Sequence, residues 1–207
     1  MKKKRFTISD IRGYKPKTLD FDAEFLDLVG MPEKKGAWLI WGNSGNGKTS
    51  FALQLAYYMT RFCKVVYDSI EEGMSKSMQD AIARIPFDNI SKYRFSLLDG
   101  VGIQELREML RKPRTAEVVF IDSLQYTGMN YNDYKALRDE FPRKLFIFIS
   151  HADGQLPKGE VAKSVRFDSF VKIHVKGFIA YALSRYGGGK PYVISQLKAE
   201  EMGSTTL

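Results

Sequence analysis

The chain has 207 residues with a formal net charge of +8, 44% of them hydrophobic and 27% charged. At about 150 residues per domain this length suits one compact domain with modest trimmings, and the composition excludes disordered, collagen-like and membrane-spanning chains. The apolar runs Val118–Ile121 and Leu145–Ile149 fall far short of the ~20 residues that cross a bilayer, Met1–Arg5 leads into a polar stretch, and the single Cys63 beside two histidines excludes an internal disulfide or a multi-cysteine zinc site. A reducing cytoplasm is the expected setting. Half of the basic excess sits in Lys2, Lys3, Lys4 and Arg5, an arm able to touch nucleic acid by counterion release.

Residues 1–20 read as a flexible basic lead-in, 21–195 as the folded domain and 196–207 as a tail. Phe21, Phe25, Leu26 and Val29 share one face of a short helix. From Gly36 a rhythm begins: 37–41, 64–68, 93–97, 118–122 and 145–150 each read as short strands buried on both faces. Segments 49–61, 75–84 and 103–110 between them have helical spacing, and this alternation predicts an α/β fold with a mostly parallel sheet flanked by helices. After His151 comes a polar, glycine-bearing loop, 152–163, and then 170–175, 178–183 and 192–194 around Gly187-Gly-Gly189, read as antiparallel strands added at the sheet edge near the C-terminus.

The segment Gly42-Asn43-Ser44-Gly45-Asn46-Gly47-Lys48-Thr49, followed by Ser50, satisfies G-x-x-x-x-G-K-[ST] between a predicted strand and a predicted helix. Its glycines let backbone N–H groups turn toward phosphates, the helix start adds its positive dipole end, Lys48 reaches the β- and γ-phosphates and Thr49 holds Mg²⁺. Nucleotide binding follows. Asp122, ending the strand 118–122, suits a water-mediated Mg²⁺ contact. Ser123 follows it instead of a second acid, so the carboxylate that orients water comes from elsewhere, and Ser69-Ile-Glu71-Glu72 supplies it at the end of another strand. Glu71 is the first choice and Glu72 the reserve.

Gly42–Thr49, Ser69–Glu72 and Ile121-Asp-Ser-Leu-Gln125 in this order resemble the ATPase core of the RecA superfamily, especially its RadA-type and DnaB-type branches. Ile149-Ser-His151-Ala-Asp-Gly154, the Asp168-led segment and Ser184-Arg185-Tyr186-Gly187 extend the resemblance over roughly 20–195. The resemblance implies a RecA-like P-loop fold, an ATPase using ATP and Mg²⁺, Glu71 as catalytic carboxylate, and His151 as the strand-end sensor that couples the γ-phosphate to a following DNA-binding loop. It also implies that Arg185 acts as a finger in a neighbouring subunit, hence a homo-oligomer, ring or filament. Leu183 stands where the family motif carries Lys, and the flanking domains of full RadA and DnaB are missing; bare cores of this kind resemble small RecA-like proteins of phages and mobile elements.

Single-stranded DNA is the expected partner, with Lys158, Lys163 and Arg166 on the loop after His151 as its phosphate contacts and Tyr126, Tyr131 and Tyr134 as stacking platforms. Tyr181, Phe146 and Phe148 belong to apolar patterns and are expected in the core. Arg107, Arg111, Lys112 and Arg114 read mainly as charges at a helix carboxyl end. The leading function is a DNA-dependent ATPase acting in recombination, annealing or unwinding. The alternatives are a nucleotide-gated assembly module similar to KaiC-type regulators and, last, a small-molecule P-loop kinase. No Asn-Lys-x-Asp segment favours a GTPase.

Overall fold

The computed structural model describes residues 5–204. Lys2–Lys4 of the basic arm and residues 205–207 lie outside them. Among the described residues nine strands alternate with helices: β1 (Gly36–Gly42), β2 (Val65–Ser69), β3 (Phe95–Leu98), β4 (Val118–Asp122), β5 (Leu145–Asp153), β6 (Leu156–Pro157), β7 (Val171–Lys176), β8 (Ile179–Ser184) and β9 (Tyr192–Val193). The sheet runs β3-β2-β4-β5-β1-β7-β8-β9, with the short β6 hairpinned onto β5. Its helices are α1 (Ile8–Gly13), α2 (Ala23–Val29), α3 (Lys48–Met59), α4 (Lys76–Ala83), α5 (Ile103–Arg111), α6 (Tyr131–Glu140), α7 (Glu160–Asp168) and α8 (Gln196–Glu201).

Strands β1, β2 and β4 are buried along nearly their whole length because helices cover both faces of the sheet. On one face Trp38, Ile40, Tyr67, Phe120, Ile147 and Ile149 pack with α2, α3 and Phe21. On the other, Leu39, Val66, Val119, Ile121, Phe146 and Phe148 pack with Leu106, Leu110, Leu137 and Val165 of α5, α6 and α7. Each such large side chain stabilises the fold by roughly 1.5–3 kcal/mol. α3 buries Phe51, Ala52, Leu53, Leu55, Ala56 and Met59 around much of its circumference, which anchors the segment that begins at Lys48.

Six expectations are corrected. Strand β7 pairs parallel with β1, Trp38 opposite Val171, so apart from the short β5–β6 hairpin antiparallel pairing starts only at β8. A parallel return needs a crossover, and α7 supplies it in the stretch read as a loop: Ala162 and Val165 are buried while Lys163 faces out. The stretch after Asp122 holds helix α6, started by a capping box in which Asn130 accepts from the Asp133 N–H and the Asp133 carboxylate accepts from the Asn130 N–H. The segment after 195 begins with helix α8, capped by Ser195, with Ala199 buried. Leu19 is fully buried, so the packed chain begins within the stretch read as a lead-in. Tyr181, expected inside, is 42% exposed.

Candidate functional site

Between β1 and α3 the chain turns through residues 43–47, and Gly45 and Gly47 take φ of +74° and +95°, values most side chains avoid. A Cβ on Gly42 would lie 2.2 Å from the Val175 carbonyl oxygen, and one on Gly47 2.7 Å from the Phe178 ring. The glycines are thus demanded by packing as well as by backbone geometry. No side chain caps α3 at Gly47, so its first-turn N–H groups, in the turn carrying Lys48, Thr49 and Ser50, lack a cap acceptor and suit a phosphate. Lys48 Nζ donates to the Asn43 carbonyl at 3.0 Å. Asn46 ties the loop to the β7–β8 turn: its Oδ1 accepts from the Gly177 N–H at 2.8 Å and its carbonyl from the Phe178 N–H at 3.1 Å. Ser44 and Gly45 are exposed at the loop tip.

Asp122 ends β4 and is buried, and the Tyr67 hydroxyl donates to its Oδ2 at 2.5 Å. Burial pushes its carboxyl up to about 6, against the hydrogen bond from Tyr67. Burial also pushes the Lys48 ammonium down, while the charges of Asp122, Glu71 and Glu72 hold it up. These opposed effects place the cation and the three acids in one electrostatic neighbourhood at the carboxyl edge of the sheet. The residues fit Mg–ATP: a loop whose glycines take positive φ, an uncapped helix start, one Lys, the Thr49 hydroxyl and a buried carboxylate with a fixed partner.

Pairing of Ser69 with Asp122 brings the β2 turn to this edge, where the Ile70 and Glu71 N–H groups donate to the Asp122 carbonyl at 2.6 and 3.1 Å. Glu71 Oε2 lies 3.1 Å from His151 Nε2. Glu72 turns away and accepts from the Ser77 hydroxyl at 2.7 Å, the acid-before-a-helix arrangement. Gly42 stands opposite His151 in the β1–β5 register, so the phosphate loop and the imidazole share one strand end. Gln125, to which sequence reasoning gave no role, fixes the imidazole's backbone: its Oε1 accepts from the His151 N–H at 3.1 Å, and its Nε2 donates to Ser150 Oγ and the Lys158 carbonyl, both at 2.8 Å. Tyr67 was missed too, since its sequence context is that of any core residue.

Other expected residues lie apart. Arg185 follows β8 at the opposite end of the sheet: Ser184 pairs with Val171 and Val171 with Trp38, four residues before Gly42, which is about 13 Å along the strand. Its guanidinium lies 4.7 Å from the Phe170 ring centroid, so within one chain it does not meet the phosphate loop. Lys172 stands directly opposite Leu183 on the paired strand, and burial, then the Arg166 and Arg185 charges, push its ammonium down. Of the DNA candidates, Lys163 pairs with Glu160 at 2.8 Å and the Arg166 guanidinium lies 5.3 Å from the Trp41 ring centroid; Lys158 alone of the three is exposed without an acidic partner among the described residues. Tyr126 and Tyr131 are 57% and 40% exposed, but Tyr134 is fully buried edge-on to Phe148 and cannot stack on a base.

The sheet order, the strand–loop–helix cradle and the acid at the end of β4 define a RecA-like P-loop fold. It is shared with the flagellar accessory protein FlaH from Methanocaldococcus jannaschii, at a TM-score of 0.62 and 16% identity over 87% of this chain and 96% of that one. A KaiC-like protein from Pyrococcus horikoshii superimposes at a TM-score of 0.57 and 21% identity, covering 82% and 89% of the two chains. No protein-family model matches the chain, and no curated protein matches it significantly.

Proposed function

We propose that this chain binds Mg–ATP and hydrolyses it as part of an assembly of copies, with single-stranded DNA as the effector of turnover, in recombination, annealing or unwinding. The observation that supports the nucleotide part of this reading is the convergence of Lys48, Asp122 and Glu71 on one sheet edge, with His151 against the Glu71 carboxylate. Thr49, and Asp122 through water, would hold Mg²⁺, which would supply charge neutralisation at the phosphates. Lys48 leaves the Asn43 carbonyl for the phosphate oxygens. Glu71 orients the attacking water and accepts its proton. His151 competes with that water for Glu71, so it couples the carboxylate to the β5–β6 hairpin through Gln125. Arg185, and Lys172 in place of the missing Lys at 183, serve a neighbouring copy's phosphates, because neither is near its own.

A second reading, nucleotide-gated assembly with little turnover, is favoured by one observation: Lys163 and Arg166 are engaged within the chain. ATP hydrolysis with and without single-stranded DNA, alongside sedimentation with and without ATP, separates the two. Stimulation by DNA supports the first; ATP-dependent assembly without turnover or DNA response supports the second.

A further inference from the structure

We propose that the amino edge of the sheet, opposite the phosphate loop, is a groove that binds single-stranded nucleic acid. This goes beyond the ATPase reading, since the two sites lie on opposite edges. A cleft of about 930 Å³ lies there, lined by eight Lys and Arg side chains and only two acids, Glu117 and Glu140. Both acids are already neutralised: Glu117 by Lys34 at 2.7 Å, Glu140 by Arg107 and Arg111, each at 2.6 Å. Lys15, Lys17, Lys112, Arg114 and Arg143 have no acidic partner among the described residues.

The cations come from the loops that lead into the parallel strands. Lys34 and Lys35 precede β1, Lys112 and Arg114 precede β4, and Arg143 and Lys144 precede β5. An adjoining cleft shares Lys112 and Arg114 and continues past Lys64 before β2 to Lys92 and Tyr93 before β3. Four neighbouring strands, β3, β2, β4 and β5, therefore each present a cation without an acidic partner among the described residues, across about 14 Å at the usual strand spacing, while Lys34 and Lys35 at β1 pair with Glu117 and Glu33. Helix dipoles explain Arg111, in the last turn of α5, but not Lys15, Lys17 or Arg143, which lie in no helix. Exposed tyrosines flank the track, Tyr14 at 60% and Tyr93 at 71%, and a cationic groove with aromatic platforms suits unpaired bases. A bilayer is the competing polyanion, since Phe6, Ile8 and Ile11 are exposed nearby in sequence. The cations line a cleft, however, which a flexible strand can enter and a flat surface cannot follow.

The test uses the full chain and a fluorescent oligothymidylate. The double variant Lys112→Glu, Arg114→Glu is expected to bind it at least about tenfold more weakly, and Lys112→Gln, Arg114→Gln to lower the salt slope by about 0.7 per cation removed. Lys48→Ala is expected to abolish ATP binding and leave oligonucleotide binding intact, which separates a failure of this proposal from a failure of the ATPase reading. Photocrosslinking of the unaltered protein gives a readout free of folding artefacts. Adducts at Tyr14, Tyr93 or residues 110–116 support the groove; adducts confined to 151–166 overturn it. Binding to phosphatidylserine vesicles with no binding to the oligonucleotide also overturns it, in favour of a membrane surface.

Discussion

The imidazole of His151 and the carboxylate of Glu71 meet at 3.1 Å, joining the end of β5 to the turn after β2 across the mouth of the phosphate loop. The pair occupies the Glu71 oxygen that would otherwise hold water. It also links that oxygen, through Gln125, to the β5–β6 hairpin at Lys158. His151→Ala is therefore expected to retain ATP binding within about threefold and to hydrolyse ATP at least as fast as the parent. Steady-state hydrolysis checks this; a fall of more than about 100-fold with binding intact would make His151 a support for Glu71 and not a restraint.

Lys172 and Arg185 are expected to act together on a neighbouring copy. Lys172→Ala should lower turnover about as much as Arg185→Ala, and Leu183→Lys should restore the Lys172→Ala protein, because residues 172 and 183 pair directly on adjacent strands. Mixing Lys48→Ala with Arg185→Ala should recover part of the activity by forming intact sites between copies. No recovery in the mixture and no rescue by Leu183→Lys would refute the trans arrangement.

Asp68 is a buried carboxylate whose Oδ1 accepts from the Val101 N–H at 3.1 Å while its Oδ2 has no partner. Burial pushes it up from 3.8 to about 6. The folded state therefore binds its proton more tightly than the unfolded chain, and stability falls as pH rises from about 4 to about 6, then levels. Asp68→Asn removes this loss, with an expected gain of about 1–2 kcal/mol at pH 7.5 that vanishes near pH 4. Urea unfolding of both proteins at the two pH values measures it, and a pH-independent difference would contradict the assignment.

Asn46 holds the phosphate loop to the Gly177 N–H. Asn46→Ala is expected to cost about 1 kcal/mol of stability and to weaken ATP binding more than it slows turnover, since the cradle loosens but Glu71 is untouched. Nucleotide titration together with kcat and KM separates the two effects; a kcat loss at unchanged KM would place Asn46 in the chemistry instead.

The strands 118–122 and 145–150 and the loop 42–49 were legible because each depends on neighbours in sequence: an apolar run buried on both faces, and glycines at fixed spacing before Lys48. Helix α6 was overlooked because its apolar residues are few among Asn, Asp, Lys and Arg, although the Asn130–Asp133 capping box was there to be read. The direction of β7 followed from α7, itself obscured by flanking Pro157, Gly159 and lysines. What sequence spacing cannot display is proximity between distant turns. His151 meets Glu71 across eighty residues, and the cations of the amino edge are scattered from Lys15 to Lys144, so neither the restraint nor the groove has a local signature.

Single-turnover hydrolysis by Glu71→Gln, beside a direct ATP-binding titration, decides whether Glu71 activates water at the site that Lys48 and Asp122 build. ATP affinity should stay within about threefold of the parent while turnover falls at least about 100-fold, with Glu72→Gln near parental because that side chain accepts from Ser77. Turnover preserved in Glu71→Gln, or lost in Glu72→Gln instead, would put the water-activating carboxylate elsewhere than Glu71.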